Sequence, residues 1–385
     1  MSYLPQNKVS FKNGVYDYTP VFAKVCSLLQ KSDFVIGNLE TPIAGARLGY
    51  TKEETVFNTP IEFVKAMKNA GISIVSLANN HCLDRGLEGL RNTVKNVKEC
   101  GVDTFGCYLT KQESLEPFIL DVEGCRIALL GYTYGTNSKW QNNKLDPEVD
   151  YSVDLFREQD DYIPHKEMRL LKVIKKVTKA IIPHFLDEKI RNTVVLDGVK
   201  TALASEGDIR FINRMNSKIR NAKEKSDFVV MCMHSGGQFN NTIGEYTKDL
   251  VDRIMRTGCD VIIGNHPHDI LGYKKLGGRL VTYSLGNFCY TPKYSDYINE
   301  VLSEYSILLH LYIDTEIKKI IRTTVSLLKT VKQADGNSVV YPVHELINAI
   351  DCKNKKVLLK ESAKALERFG ISLKSQELIP EEIEF

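Results

Sequence analysis

At 385 residues the chain is long enough for one large domain or two ordinary ones, and 43% hydrophobic with 26% charged residues makes it globular rather than disordered. A net charge of +3 is small for this length and does not suggest a nucleic-acid binder. No window approaches the roughly 20 apolar residues of a membrane-spanning helix, and residues 1–14 lack the apolar core and cleavage pattern of a signal peptide, so the chain as written reads as soluble and cytoplasmic. The nine cysteines form no Cys-x-x-Cys pair, and Cys125, Cys232 and Cys289 sit in apolar strand-like runs. That usage implies buried reduced thiols, with no disulfide framework or zinc knuckle.

In chain order, short apolar runs alternate with amphipathic helical stretches, the βαβ pattern. A helix is expected over 20–30 and a strand over 34–37. A second helix should start where Thr59 caps, Pro60 takes the first helical position and Glu62 closes a capping box, and should end near Gly71. A strand over 72–78, a helix over 87–100 and a strand over 126–131 follow. From 136 to 205 the pattern loosens into an insertion or lid on the α/β core, with a basic helical segment over 166–189 broken at Pro183; a solvated arm without a role fits the same residues. The regular pattern resumes with a helix over 206–225, a strand over 228–233, and a helix over 245–257 that Gly258 stops. Strands over 261–264 and 280–284 come next, then an alternating run over 305–314 and a β-rich run over 318–329. A core domain is assigned to 1–350, and 351–385 to a C-terminal helical tail, one surface helix with a disordered end.

Four of these strands hand polar side chains to the residues that follow them. The first gives Asn38 and Glu40; the second gives Asn79, Asn80 and His81, with Asp84 just beyond. The strand over 228–233 runs into His234, and the strand over 261–264 into Asn265, His266, Pro267 and His268. A residue before proline favours extended backbone, and residues i and i+2 of an extended chain point the same way, so His266 and His268 should project to one side. In open parallel sheets ligands bind beyond the carboxyl ends of the strands. Asn38 and Asn79 also suit turns, His234 a satisfied core position, and His81 a helix cap. Glu40 is harder to place so, because a carboxylate directly after a buried strand is costly unless paired. Mixed Glu/Asn/His donors without thiolates suit Mn²⁺, Fe²⁺ or Zn²⁺. A shared carboxylate can bridge two such ions, as in two-metal phosphoester hydrolysis, and a nearby histidine can protonate the leaving group.

Five motifs in register then carry a resemblance: Asn38 to Ile43; Ser76 to His81 with Asp84 and Gly86; His234 to Gly236; Gly264 to His268; and Tyr283 to Phe288. Their order and spacing, from about residue 13 to 290 and more loosely to about 346, resemble the CapA family of poly-γ-glutamate capsule synthesis proteins. The resemblance implies an α/β fold, a metallophosphoesterase-like layered α/β sandwich carrying a helical insertion. It also implies a metal-dependent phosphoesterase or other hydrolase in capsule biosynthesis. Glu40 would bridge one or two divalent ions per chain, with Asn80, His234 and His266 at one position and His268 at the other. His81 would be the general acid or the phosphate-contacting imidazole, Asp84 would orient it, and Asn38, Asn79 and Asn287 would support the site. His165, His184, His310 and His344 fall outside it.

Family members normally begin with a strand ending in Gly-Asp, whose aspartate is a metal ligand. Here the sequence opens just after where that strand should be, and no substitute is evident; Asp17 matches a position between that strand and the next helix. Either the first strand is lost from this reading or the first metal position is damaged. The resemblance leaves two alternatives open: a non-catalytic assembly or export factor for an anionic polymer, and a metal-dependent amide (γ-glutamyl) hydrolase. The implied partners are an anionic polymer or phosphoester substrate and the capsule synthesis machinery at the membrane, with membrane anchoring if an upstream segment supplies it.

Overall fold

The computed structural model describes residues 4–52, 56–164, 206–239, 241–289, 302–373 and 378–385. The expected basic segment over 166–189 lies outside the described residues. The strands are β1 (Phe11–Lys12), β2 (Val15–Tyr16), β3 (Ile36–Asn38), β4 (Ile74–Ser76), β5 (Asp103–Phe105), β6 (Phe118–Val122), β7 (Cys125–Thr133), β8 (Phe228–His234), β9 (Val261–Asn265), β10 (Ile270–Leu276), β11 (Arg279–Leu285), β12 (Tyr305–Asp314), β13 (Lys319–Lys332), β14 (Ser338–Pro342) and β15 (Ile383–Glu384).

Three sheets carry the architecture. β3, β4 and β5 form a parallel trio. A six-stranded sheet runs β10-β11-β9-β8-β7-β6, with β11, β9, β8 and β7 parallel and antiparallel strands at both edges. β12, β13 and β14 are antiparallel, with β15 also on β13.

Strand periodicity explains the layering. Along β7 and β8, Ala128, Leu130, Tyr132, Val229, Met231 and Met233 pack with Ile212, Met215, Ile219 and Ile254 of the helices Glu206–Lys225 and Glu245–Thr257. Their neighbours Ile127, Leu129, Val230 and Cys232 share a second cluster with Ile74, Phe105, Leu309 and Leu311 of the other sheets. Val64, Met67, Leu90 and Val94 of the helices Glu62–Asn69 and Gly86–Glu99 cover the outer side of the parallel trio. The result is the layered α/β sandwich that the sequence predicts. Among the described residues no helix is long and apolar enough to cross a membrane.

Local expectations are corrected in three places. The helix over 20–30 is two pieces, Thr19–Phe22 and Cys26–Leu29, joined by i→i+3 bonds from Val25 N to Phe22 O and from Leu28 N to Val25 O. Thr59 does not cap the next helix, which starts at Glu62 without a side-chain cap. Its hydroxyl instead meets that of Thr41 at 2.9 Å, where both residues are buried and a partner is needed. The tail is no bare surface helix with a disordered end. The helix Cys352–Phe369 buries Leu358, Ala365, Leu366 and Phe369 against Ile307, Val325 and Leu327, and the chain returns as β15. Phe385 then sits 4.5 Å from the ring of Tyr273.

Among the described residues, no strand parallel to β3 precedes it, and β3 pairs with β4 alone. Asp17 is a turn residue, accepting from Thr19 N at 2.9 Å.

Two positions fix how the strands reach the rim. A Cβ on Gly264 would lie 2.0 Å from the Tyr283 carbonyl oxygen, just past the last pair of the β9–β11 ladder. Gly264→Ala is expected to destabilise the fold by about 3 kcal/mol, the upper end for overpacking, read as a lower denaturant midpoint at unchanged slope. The second is a buried pair: Lys218 Nζ lies 2.7 Å from Asp154 Oδ2, and the Tyr108 hydroxyl donates to the same carboxylate at 2.6 Å. It ties the helix Glu206–Lys225 to the segment whose Asp154 carbonyl accepts from Thr133 N at the end of β7. Lys218→Met strands a buried carboxylate and is expected to cost about 3–5 kcal/mol. Adding Asp154→Leu should restore most of that stability, measured in the same denaturation experiment.

Candidate metal centre

The carboxyl ends of the strands bring the predicted residues together. Asn38 closes β3, and Leu39 N bonds Ser76 O at 3.0 Å, holding Glu40 beside the end of β4. His234 closes β8, in register with Thr133 on one side and Asn265 on the other. Glu40, Asn79, Asn80, His81, Asp84, His234, His266, His268 and Asn287 are all buried.

The contacts are close. Glu40 Oε1 lies 3.6 Å from both His234 Nε2 and His268 Nε2. His234 Nε2 is 2.9 Å from Asn80 Oδ1, and the rings of His234 and His266 are 4.9 Å apart. The donor atoms of Glu40, His266 and His268 all lie within 4.8 Å of one another. Glu40 Oε1 and both nitrogens of His266 are buried without a hydrogen-bond partner. Unsatisfied buried acceptors are costly, and a carboxylate oxygen converging with imidazole nitrogens is what a divalent cation relieves. The donor set fits such an ion.

Neighbouring groups set the ring orientations. The Asn287 amide nitrogen donates to the carbonyls of His268 and Ser303 at 3.1 Å each, which turns its oxygen toward His268 Nδ1 at 2.7 Å. His268 therefore carries its proton on Nδ1 and offers the lone pair of Nε2 on the Glu40 side. Asn38 Nδ2 is 3.4 Å from His234 Nδ1, and Asn79 donates to Leu39 O at 2.9 Å. Burial, then the neighbouring imidazoles, hold His234 and His266 well below the ordinary imidazole value, so both are neutral at pH 7.

His81 is in a different state. Burial opposes its charge, but the carboxylates of Asp84 and Glu40 outweigh it and raise its pKa. Its Nδ1 lies 2.8 Å from Asp84 Oδ2, and that oxygen also accepts from Phe57 N at 2.6 Å. Phe57 packs on the His81 ring with centroids 4.3 Å apart.

One expectation of local geometry is overturned. His266 and His268 do not lie on an extended chain, because β9 ends at Asn265 and their φ angles are 100° and 57°. The two imidazoles reach one centre through left-handed backbone, which non-glycine residues adopt at a cost of order 1–3 kcal/mol each.

The sequence reading passed over Tyr134, Asn137 and Gln141. The Tyr134 ring lies 4.7 Å from that of His266 and 6.5 Å from that of His234, and burial followed by the Glu40 carboxylate raises its hydroxyl pKa. Asn137 Oδ1 accepts from Asn80 Nδ2 at 3.2 Å, and Gln141 Nε2 donates to Asp84 Oδ1 at 3.0 Å. The opening of the 136–205 segment is thus part of the rim. Tyr134 follows β7 directly, and the strand-end rule applied to that strand would have found it. Of the other histidines, His310 bonds Ser326 Oγ at 2.9 Å and His344 faces Glu381, both away from the cluster, while His165 and His184 lie outside the described residues.

The fold and the cluster define an α/β protein with a candidate divalent-metal centre at the joint rim of two sheets. The model of the bacterial capsule synthesis protein family PGA_cap matches residues 2–291, and the chain belongs to that family. It is 24% identical over 297 residues to the capsule biosynthesis protein CapA of Bacillus anthracis, covering 74% of this chain and 57% of that protein. It is 22% identical over 289 residues to the PGA biosynthesis protein CapA of Bacillus subtilis (strain 168), covering 74% and 61%. The chain thus spans less than two thirds of the length of these relatives. A crystal structure described as a 5'-nucleotidase from Staphylococcus aureus, in complex with alpha-ketoglutarate, aligns with 94% of this chain and 56% of that one. At a TM-score of 0.40 and 12% identity, that likeness is too loose to argue from.

Proposed function

We propose that this protein is a metal-dependent hydrolase of the phosphoesterase type that acts in the synthesis of a poly-γ-glutamate-like capsule polymer. The observation that carries the reading is the buried convergence of Glu40 Oε1 with the nitrogens of His234, His266 and His268, with Glu40 Oε1 and both His266 nitrogens left without hydrogen bonds.

Glu40, Asn80, His234, His266 and His268 would hold the cation or cations. An ion held by these residues would supply Lewis-acid chemistry, polarising a phosphoryl oxygen and lowering the pKa of water. The remaining work belongs to the chain. Asn287 and Asn38 orient the imidazoles of His268 and His234. Asp84 fixes the His81 ring through Nδ1 and leaves a proton at Nε2 for the departing oxygen. Tyr134 and Phe57 wall the rim with aromatic surface and limit water around those groups. Partners follow the same reading: an anionic polymer or its phosphoester precursor, handled with the capsule synthesis machinery at the membrane.

The test combines calorimetric titration of the chelator-treated protein with Mn²⁺ and assays on p-nitrophenyl phosphate, bis-p-nitrophenyl phosphate and a γ-glutamyl p-nitroanilide. Mn²⁺ binding with Mn²⁺-stimulated phosphoester turnover supports the proposal. Absence of both, or turnover confined to the anilide, overturns it.

A further inference from the structure

The backbone that presents His268 is strained and needs support from its surroundings. His268 has a φ of 57°, Asp269 follows it directly, and β10 begins at Ile270. A non-glycine residue keeps left-handed backbone only where the structure around it fixes it there. On one side that support is Asn287, which bonds both the imidazole and the carbonyl of His268. On the other side is Asp269, whose side chain is wholly enclosed, at 0% exposure. Its Oδ1 accepts from Ile270 N at 3.0 Å, and its Oδ2 accepts from Arg368 Nη1 at 2.5 Å.

Arg368 arrives from far along the chain. It is the penultimate residue of the helix Cys352–Phe369, 99 positions after Asp269 and beyond the residues 2–291 that the family model matches. The helix end is itself fixed. Leu366 and Phe369 are buried in one cluster with Ile270, the Phe369 ring lies 5.2 Å from that of Tyr273 on β10, and Gly370 caps the helix with a φ of 106°. The free carbonyls at a helix C-terminus disfavour a nearby anion, so it is the guanidinium that makes this place suitable for a carboxylate.

We propose that Arg368 is a positioning residue of the metal centre: it anchors Asp269 and thereby holds the His268 imidazole toward Glu40. His268 Nε2 lies 3.6 Å from Glu40 Oε1 in this arrangement. Without the guanidinium the Asp269 carboxylate is a buried charge short of a partner. A side chain so enclosed reaches water only by turning the 268–269 backbone, which moves the imidazole with it. The C-terminal helix is then part of the framework of the centre. The inference rests on the metal-centre reading of Glu40, His266 and His268.

Two readouts on the full chain test it. In calorimetry, Arg368→Met should weaken Mn²⁺ binding at least about tenfold, the lower end of what a lost supporting partner costs a metal site, and Arg368→Lys, which keeps the charge, should recover most of it. In metal-free protein carrying isotope-labelled histidine, the Nδ1–H of His268 should give a slowly exchanging proton signal, assigned by its loss in His268→Ala. That signal should vanish in Arg368→Met and return in Arg368→Lys. Leu358→Ala opens a cavity under the same helix and should lower the melting temperature, yet leave Mn²⁺ affinity within about threefold. Should Arg368→Met fail to fold, Asp269→Asn, which strands no charge, is expected to move both readouts the same way. A signal that persists in the variant, whatever the affinity, overturns the inference. So does an equal loss of affinity in Leu358→Ala, which would make Arg368 a stability contact only. If the unaltered protein takes up no Mn²⁺, the metal reading fails and the histidine signal alone decides the role of Arg368.

Discussion

Glu40→Gln is expected to weaken Mn²⁺ binding by at least about 100-fold, the upper end of what loss of a metal site's supporting partner costs, and to remove Mn²⁺-stimulated turnover with it. Glu40 is the sole carboxylate in the three-residue donor cluster, and its Oε1 sits midway between two imidazole nitrogens at 3.6 Å. Without a cation, that buried oxygen lacks a hydrogen bond and opposes folding. The substitution keeps the shape and removes the charge, so the metal-free variant should be as stable as the parent or more so. The two readouts should thus move apart: affinity in calorimetry falls while the metal-free melting temperature holds or rises. A variant that melts lower yet still binds Mn²⁺ normally would assign Glu40 to the core instead.

His81→Ala is expected to lower kcat on phosphoester substrates by about 10²–10⁴, the range of a lost general acid, while Mn²⁺ affinity stays within about threefold. Its Nδ1 meets a carboxylate, Asp84, whereas those of His234 and His268 meet amides and that of His266 has no hydrogen-bond partner. Asp84→Asn should cost about 10–100-fold, because one amide oxygen can still accept from Phe57 N and His81 Nδ1 while the charge and the Gln141 contact are lost. Calorimetry alongside steady-state kinetics decides between roles: a parallel loss of Mn²⁺ affinity would make His81 a ligand instead.

The rim was legible from sequence because each strand announced itself twice, as an apolar run and as a polar residue at its end. β8 and β9 were recoverable within a residue for this reason, and His234 fell in its place. β3 and β4 proved shorter than their apolar runs, since Phe34 and Leu77 are apolar without being paired in a ladder. The route to His266 and His268 was misread: proline's preference for extended neighbours is a local bias, and here tertiary packing overrides it. Tyr134 and Asn137 were missed for another reason. Tyr134 follows β7 but is not one of the Glu, Asn or His donors that mark the other strand ends, and Asn137 opens a stretch whose later residues look like linker. The tail misled by composition, since Lys and Glu dominate a helix that nonetheless buries Leu366 and Phe369.

Glu40 belongs to the parallel trio, whereas His234, His266 and His268 hang from the six-stranded sheet. Each half of the molecule holds only a fragment of the centre, the carboxylate on one side and the three imidazoles on the other. A chain emerging from the ribosome has Glu40 and Asn80 long before the three late histidines exist. The full donor set is therefore complete only once the second sheet has closed over the first, and a prematurely ended polypeptide would lack it.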